Sequence, residues 1–173
     1  MIGSAQRPLL FLDVDGPLIP FGGSERYPTY RTGVEPPPGS EAHPLLARID
    51  PRHGPRLTML SCDLVWATTW MDDANEWIAP RIGLPRLPVV AWPEPSAVDE
   101  QDERHGLHWK TRTLVDWAAE RAFVWVDDEI TDIDRTWVSV HHPGPALLHR
   151  VDARRGLTDR DYQEIGRWLG TIG

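Results

Sequence analysis

Cysteine is nearly missing from this chain: Cys62 stands alone among 173 residues. An intramolecular disulfide is therefore impossible, and a cysteine-built metal cluster is excluded. Lysine is as scarce. Of 18 basic residues only Lys110 is a lysine, and the rest are arginine. No run of basic residues occurs, and the formal net charge is −8. That balance argues against broad binding of nucleic acid or anionic membrane, while leaving room for a local basic groove. Long apolar runs are also lacking. The stretch Leu9 to Leu12 is too short for a signal peptide or a membrane span, and Asp13 ends it. The expectation is a cytoplasmic protein with no membrane partner.

What is present suffices for one globular domain over residues 1–173, with 40% hydrophobic residues to build a core and no internal repeat. Pro8 to Asp13, an apolar run closed by an acid, predicts a buried parallel strand. Residues 16 to 40, rich in proline and glycine, predict loop. Ser40 is placed to cap a helix running to about Ile49. Leu64 to Thr68 predicts a second strand, followed by helical spacing at Ala74, Trp77 and Ile78. Pro88 to Trp92 predicts a third strand, and Glu94 to Arg104 a surface loop. Lys110 opens a helix with Leu114, Val115 and Ala118 on its apolar face. Phe123 to Val126 is the fourth strand expected, Ile130, Ile133 and Trp137 mark a helix, and Ala146 to Val151 is the last strand. Thr158 caps a final helix. Strands alternating with helices imply an α/β doubly wound fold with a mostly parallel sheet of about five strands.

In such sheets the ligand site lies off the carboxyl ends of the strands. Asp13, Thr68 and the Asp127-Asp128 pair end three of the strands, and Lys110 begins the helix leading into the fourth. Asp13 and Asp15, two apart, share a side if the segment is extended. One carboxylate can attack phosphorus while the other handles the leaving-group proton. Four acids in one place (Asp13, Asp15, Asp127 and Asp128) repel one another unless a cation joins them, and an all-oxygen set suits Mg²⁺. A compact ammonium suits a single phosphoryl oxygen, and a chain that otherwise uses arginine has a lysine here.

Together these residues resemble the haloacid dehalogenase-like (HAD) superfamily. Leu9-Leu10-Phe11-Leu12-Asp13-Val14-Asp15-Gly16 is similar to its first motif, and Leu64-Val65-Trp66-Ala67-Thr68 to its second. Lys110 and Asp127-Asp128 follow in the order of its third and fourth. More narrowly, Asp-Val-Asp-Gly-Pro-Leu and Trp-Ala-Thr-Thr-Trp are similar to bacterial HAD domains grouped with RNA-repair proteins. The resemblance implies Asp13 as nucleophile, Asp15 as general acid and base, and Thr68 and Lys110 as phosphate ligands. It also implies a Mg²⁺ site drawn from Asp13, Asp15, Asp127 and Asp128, with Asp128 the direct ligand and Asp127 acting through water or by orienting Lys110. Thr69 competes with Thr68, and Asp132 is a further acid that an exposed helix position explains better. Pro17 departs from the usual threonine and removes one backbone N–H from the first loop. None of the seven histidines completes a zinc pattern.

The expected activity is Mg²⁺-dependent hydrolysis of a phosphomonoester through an aspartyl-phosphate. Fewer than fifty residues separate Asp15 from the second strand, too few for a large cap domain. The resulting open site favours an extended phosphorylated substrate, such as a nucleic-acid end, over an enclosed small molecule. Two other classes fit the same residues. One is a low-turnover module that keeps the fold for binding or regulation, and the other transfers the phosphoryl group to an acceptor other than water.

Overall fold

The computed structural model describes residues 6–35 and 43–173. Four strands form one sheet: β1 (Leu9–Leu12), β2 (Asp63–Trp66), β3 (Phe123–Asp127) and β4 (Ala146–Arg150). Their order is β2-β1-β3-β4, and every pairing is parallel. β1 is central, with Leu12 level with Trp66 on one side and Val126 on the other. All four β1 residues and all five of β3 are buried, as expected for strands covered on both faces.

Alternation of side chains divides the core in two. Leu10, Leu12, Val124 and Val126 face one layer, with α1 (His53–Met59), α2 (Ala79–Ile82) and α6 (Asp159–Ile172) packed there through Leu57, Ile82 and Ile165. Leu9, Phe11, Phe123 and Trp125 face the other layer, which holds α4 (Thr111–Ala118) and α5 (Asp132–His141) through Leu114, Ala118 and Val138. The fold is α/β, with helices on both faces of the sheet.

The sheet has four strands, where the sequence predicts about five. Pro88 to Trp92 makes only an isolated bridge between Trp66 and Val89, closed by Trp66 N–H to Pro88 O and Val90 N–H to Trp66 O, both at 2.9 Å. Prolines at 88 and 93 supply no N–H, so the pairing cannot spread. Glu94 to Arg104 contains a helix, α3 (Ala97–Arg104), instead of a loop. It starts where the N–H and hydroxyl of Ser96 both donate to the Asp99 carboxylate, at 2.7 and 2.6 Å. Its capping residues define this helix, because it has almost no apolar stripe to read. Ser40 lies outside the described residues. Beyond it the chain forms a 3₁₀ turn over Pro44–Arg48.

α1 has Gly54 and Pro55 in its first turn and Pro51 just before it, so its sequence signal is weak. The glycine is required by packing. A Cβ on Gly54 would lie 1.6 Å from the carbonyl oxygen of Ile82, so α1 and α2 cross there in backbone contact. Among the described residues, only the 3₁₀ turn and α1 stand between β1 and β2, and no large cap covers the sheet. No described helix is long and apolar enough to cross a membrane.

His53 of α1 faces the hydroxyl of Tyr162 on α6, Nδ1 to oxygen 2.8 Å, and burial holds its pKa down to about 4. The fold therefore holds the neutral ring, whereas the unfolded chain protonates near 6.5. This contribution is complete above about pH 6.5 and is lost as pH falls towards about 4, a loss of about 3 kcal/mol across the window. Urea unfolding at both ends of that window should show wild type losing about that much more stability than His53→Gln. Equal losses in the two proteins would remove His53 as the cause.

Candidate active site

The strand ends bring residues far apart in sequence to one rim. Asp13 follows β1 directly, Asp127 is the last residue of β3, Thr68 stands two beyond β2, and Lys110 immediately precedes α4. After Asp13 the chain is no longer extended. The N–H groups of Leu18 and Ile19 both reach back to Val14 O at 3.0 Å, and Gly16 takes φ 94°. A Cβ on Gly16 would fall 2.7 Å from the Asp128 carboxyl carbon. Glycine thus meets both the backbone angle and the close approach of this loop to Asp128.

Lys110 sits at the centre, 3% exposed. Its Nζ lies 2.7 Å from Asp127 Oδ2, 3.2 Å from Asp13 Oδ2 and 3.0 Å from Ala67 O. Three ammonium protons thus meet three acceptors drawn from β3, the end of β1 and the end of β2. The rings of Trp92 and Trp109 flank the ammonium at 5.9 and 5.6 Å from their centroids and meet each other edge to face at 4.8 Å. Two indole faces near a desolvated cation add to its retention.

Asp13, Asp127 and Asp128 bring carboxylate oxygens within 4.8 Å of one another. Against the single ammonium of Lys110, three ionised carboxylates leave two negative charges uncompensated. Burial pushes Asp13 up to about 7; the Asp127 charge adds to this and Lys110 partly offsets it. Burial, then Asp127, pushes Asp128 up to about 6. Burial alone would lower Lys110, but the Asp13 and Asp127 carboxylates outweigh it and its pKa is raised. Carboxyls held above their ordinary range by confinement and mutual repulsion are suited to a hard divalent cation, which relieves both.

Asp15 stands apart from this cluster. Its Oδ2 accepts the Trp70 indole N–H at 3.0 Å, and the three converging carboxylates do not include it. The sequence expectation that Asp13 and Asp15 share a side assumed an extended segment. The turn at Val14 to Ile19 leaves the Asp15 carboxylate on Trp70, outside the group of three. Thr68 is fully buried, its Oγ1 accepting Trp70 N–H at 3.2 Å and its carbonyl accepting Trp92 Nε1–H at 3.1 Å. Thr68 Oγ1 donates to no described residue. Thr69 is exposed.

Asp132, the further acid of the sequence reading, has a side chain 97% exposed and pairs with Arg135 at 2.9 Å. The buried acid on α5 is Asp134, which the sequence reading passed over. It accepts His108 N–H at 2.8 Å, Thr111 Oγ1–H at 2.7 Å, and the N–H and hydroxyl of Thr131 at 2.8 and 2.9 Å. One carboxylate thus caps α5 and fixes the start of α4, where Lys110 stands. Thr131-x-x-Asp134 has capping-box spacing and was the available signal. Trp70 and Trp92 give no such signal, because their roles depend on contacts 55 and 24 residues away.

No curated protein and no solved structure matches the chain. Residues 9–162 match the family described as the HAD domain in Swiss Army Knife RNA repair proteins. That span runs from the first residue of β1 into α6 and holds every residue of the rim described above, and the chain belongs to this HAD domain family.

Proposed function

We propose that the protein is a Mg²⁺-dependent phosphomonoester hydrolase that works through an aspartyl-phosphate on Asp13. Family membership supports phosphatase-type hydrolysis in general. The observation that carries the finer reading is the contact of one buried ammonium, Lys110, with both Asp13 and Asp127 beside Asp128.

In this reading an Asp13 carboxylate oxygen bonds to phosphorus as the ester P–O bond breaks, and Asp15 gives its proton to the leaving oxygen. Asp15, now a carboxylate, takes a proton from water as that water attacks phosphorus, releasing phosphate and restoring Asp13. The Trp70 indole fixes the carboxyl of Asp15 through both steps. Lys110 exchanges its Asp13 contact, the longest of its three, for a phosphoryl oxygen, and Thr68 donates its hydroxyl proton to another. Asp13 and Asp128 would hold Mg²⁺, with Asp127 already committed to Lys110. A bound Mg²⁺ supplies the positive charge that lets a phosphate dianion enter among carboxylates. The substrate class proposed is a nucleotide or nucleic-acid end phosphate. The absence of a large cap among the described residues supports this class, as does the RNA-repair setting in the family's description.

Hydrolysis of p-nitrophenyl phosphate should require Mg²⁺ and disappear in excess chelator. Full activity with EDTA would overturn the metal assignment. A second readout is independent of turnover. Asp13 at about 7 and Asp128 at about 6 must lose their protons to bind a cation. Mg²⁺ should therefore raise the melting temperature clearly near pH 8 and little near pH 5. A pH-independent shift would place the ion elsewhere.

A further inference from the structure

Several of the chain's arginines gather in one place on the surface. Arg26, Arg48, Arg52, Arg56, Arg154 and Arg155 line one basin of about 950 Å³, which reaches Pro17 and Gly156 beside the catalytic rim. Glu25, Asp50, Asp152 and Asp159 line it too, so the charges that are already committed need separating from those that are not. Arg52 pairs with Asp50 at 2.6 Å, and Arg56 pairs with Asp159. Asp152 accepts the backbone N–H of Arg154 at 3.0 Å. Arg154 and Arg155 are exposed and make no ion pair with a described residue. The Arg48 guanidinium lies 4.6 Å from the centroid of the Tyr27 ring and gives one N–H to Pro20 O at 2.9 Å, leaving other donors towards the basin.

A second depression of about 670 Å³ joins this basin to the site. It is lined by Asp128, Arg150 and Phe21, and it shares Gly22, Asp152 and Arg154 with the basin. Arg150 reaches from it to Asp128 O at 3.0 Å. Phe21 is 44% exposed although its own N–H is fixed to Ala153 O at 2.8 Å. A flat apolar ring thus stands open to solvent on an anchored backbone, between Asp128 and the uncommitted arginines.

We infer that this path is the track of a single-stranded polynucleotide whose terminal phosphate is presented to Asp13, a reading that rests on the phosphatase assignment above. A lone small phosphate needs one enclosed pocket. A phosphodiester chain needs cationic donors repeated at intervals, which Arg150, Arg154, Arg155 and Arg48 provide. Unpaired bases need flat faces, and Phe21, Tyr27 and Tyr30 line the same path. In a chain of net charge −8, such a groove focuses a polyanion onto one route.

The test is fluorescence anisotropy with full-length Asp13→Asn, so that binding is read without turnover. The probes are a mononucleotide phosphate and end-phosphorylated single strands of about eight nucleotides, as RNA and as DNA. The strands should bind at least about tenfold tighter than the mononucleotide. Adding Arg154→Glu and Arg155→Glu should cost the strands at least about tenfold. It should also flatten the log–log salt dependence by about 1.4, at about 0.7 per phosphate contact. Phe21→Ala, which changes no charge, should lower strand affinity at least about fivefold without altering the salt slope. Equal affinity for strand and mononucleotide would overturn the inference, as would strand affinity unmoved by the charge reversals. RNA and DNA binding alike supports recognition through backbone and stacking, and RNA binding tighter supports the same track with added 2′-hydroxyl contacts. Circular dichroism checks each variant's fold, and Phe21→Ala tests the track even if the double charge reversal fails to fold. Loss of wild-type p-nitrophenyl phosphate turnover would overturn the phosphatase reading separately.

Discussion

Asp13→Asn is expected to lose at least about a thousandfold in kcat, about 4 kcal/mol of transition-state stabilisation, without unfolding the protein. The amide oxygen can keep the Val14 N–H, which Asp13 Oδ1 accepts at 2.8 Å, whereas Lys110, which faces the other oxygen at 3.2 Å, loses that contact and keeps Asp127 and Ala67 O. Stability should not fall by more than about 1 kcal/mol near pH 8. Asp13 is raised to about 7, so above that pH its buried charge opposes folding, and the neutral amide removes that penalty. The pairing of the two results is the informative part, because a merely structural acid would lose stability along with activity. Retention of more than about a tenth of wild-type kcat, measured in saturating Mg²⁺, would exclude Asp13 as nucleophile.

Lys110→Arg should lose at least tenfold in kcat/KM, about 1.4 kcal/mol, although the formal charge is kept. The ammonium occupies a space bounded by Asp127, Asp13, Ala67 O and the Trp92 and Trp109 rings, with almost no exposure. A guanidinium is wider and its donors are coplanar, so it cannot meet three convergent acceptors at the distances seen. Either the tryptophans shift or the carboxylates part, at about 1–3 kcal/mol for overpacking. A lysine held only at a solvated helix start predicts kinetics close to wild type. Steady-state rates on the metal-saturated variant, with thermal melts alongside, separate the two readings.

The parts of this rim that were legible are those marked by abrupt changes in local character. A fully apolar run stopped by an acid locates Asp13, and the same change locates Asp127 and Asp128. The only lysine in the chain locates Lys110. Such signals survive because a strand buried on both faces must be apolar to its end. Elements without an apolar stripe were harder. α3 is exposed and written in capping residues, and α1 is interrupted by prolines and by the glycine that permits its contact with Ile82. Pro88 to Trp92 has the composition of a strand, and only its prolines report that it cannot continue one. The contact of Asp15 with Trp70 was not legible, because periodicity describes an extended chain and hydrogen bonds to Val14 O turn this one. Asp134 was missed because its importance lies in joining α4 to α5, a relation between segments that the spacing within either helix does not show.

The central place of β1 separates two timescales. Its backbone is paired on both sides, so its amides can meet solvent deuterons only when the sheet itself comes apart, at a cost close to that of global unfolding. The aspartate that follows it inherits that immobility. Phe21, Arg154 and Arg155 present exposed side chains on connecting segments beyond the strand ends, and such side chains change rotamer in picoseconds to nanoseconds. Side chains that hold a long flexible ligand can therefore turn on anchored loops, while the atom that would attack phosphorus stays fixed by the last part of the molecule to open.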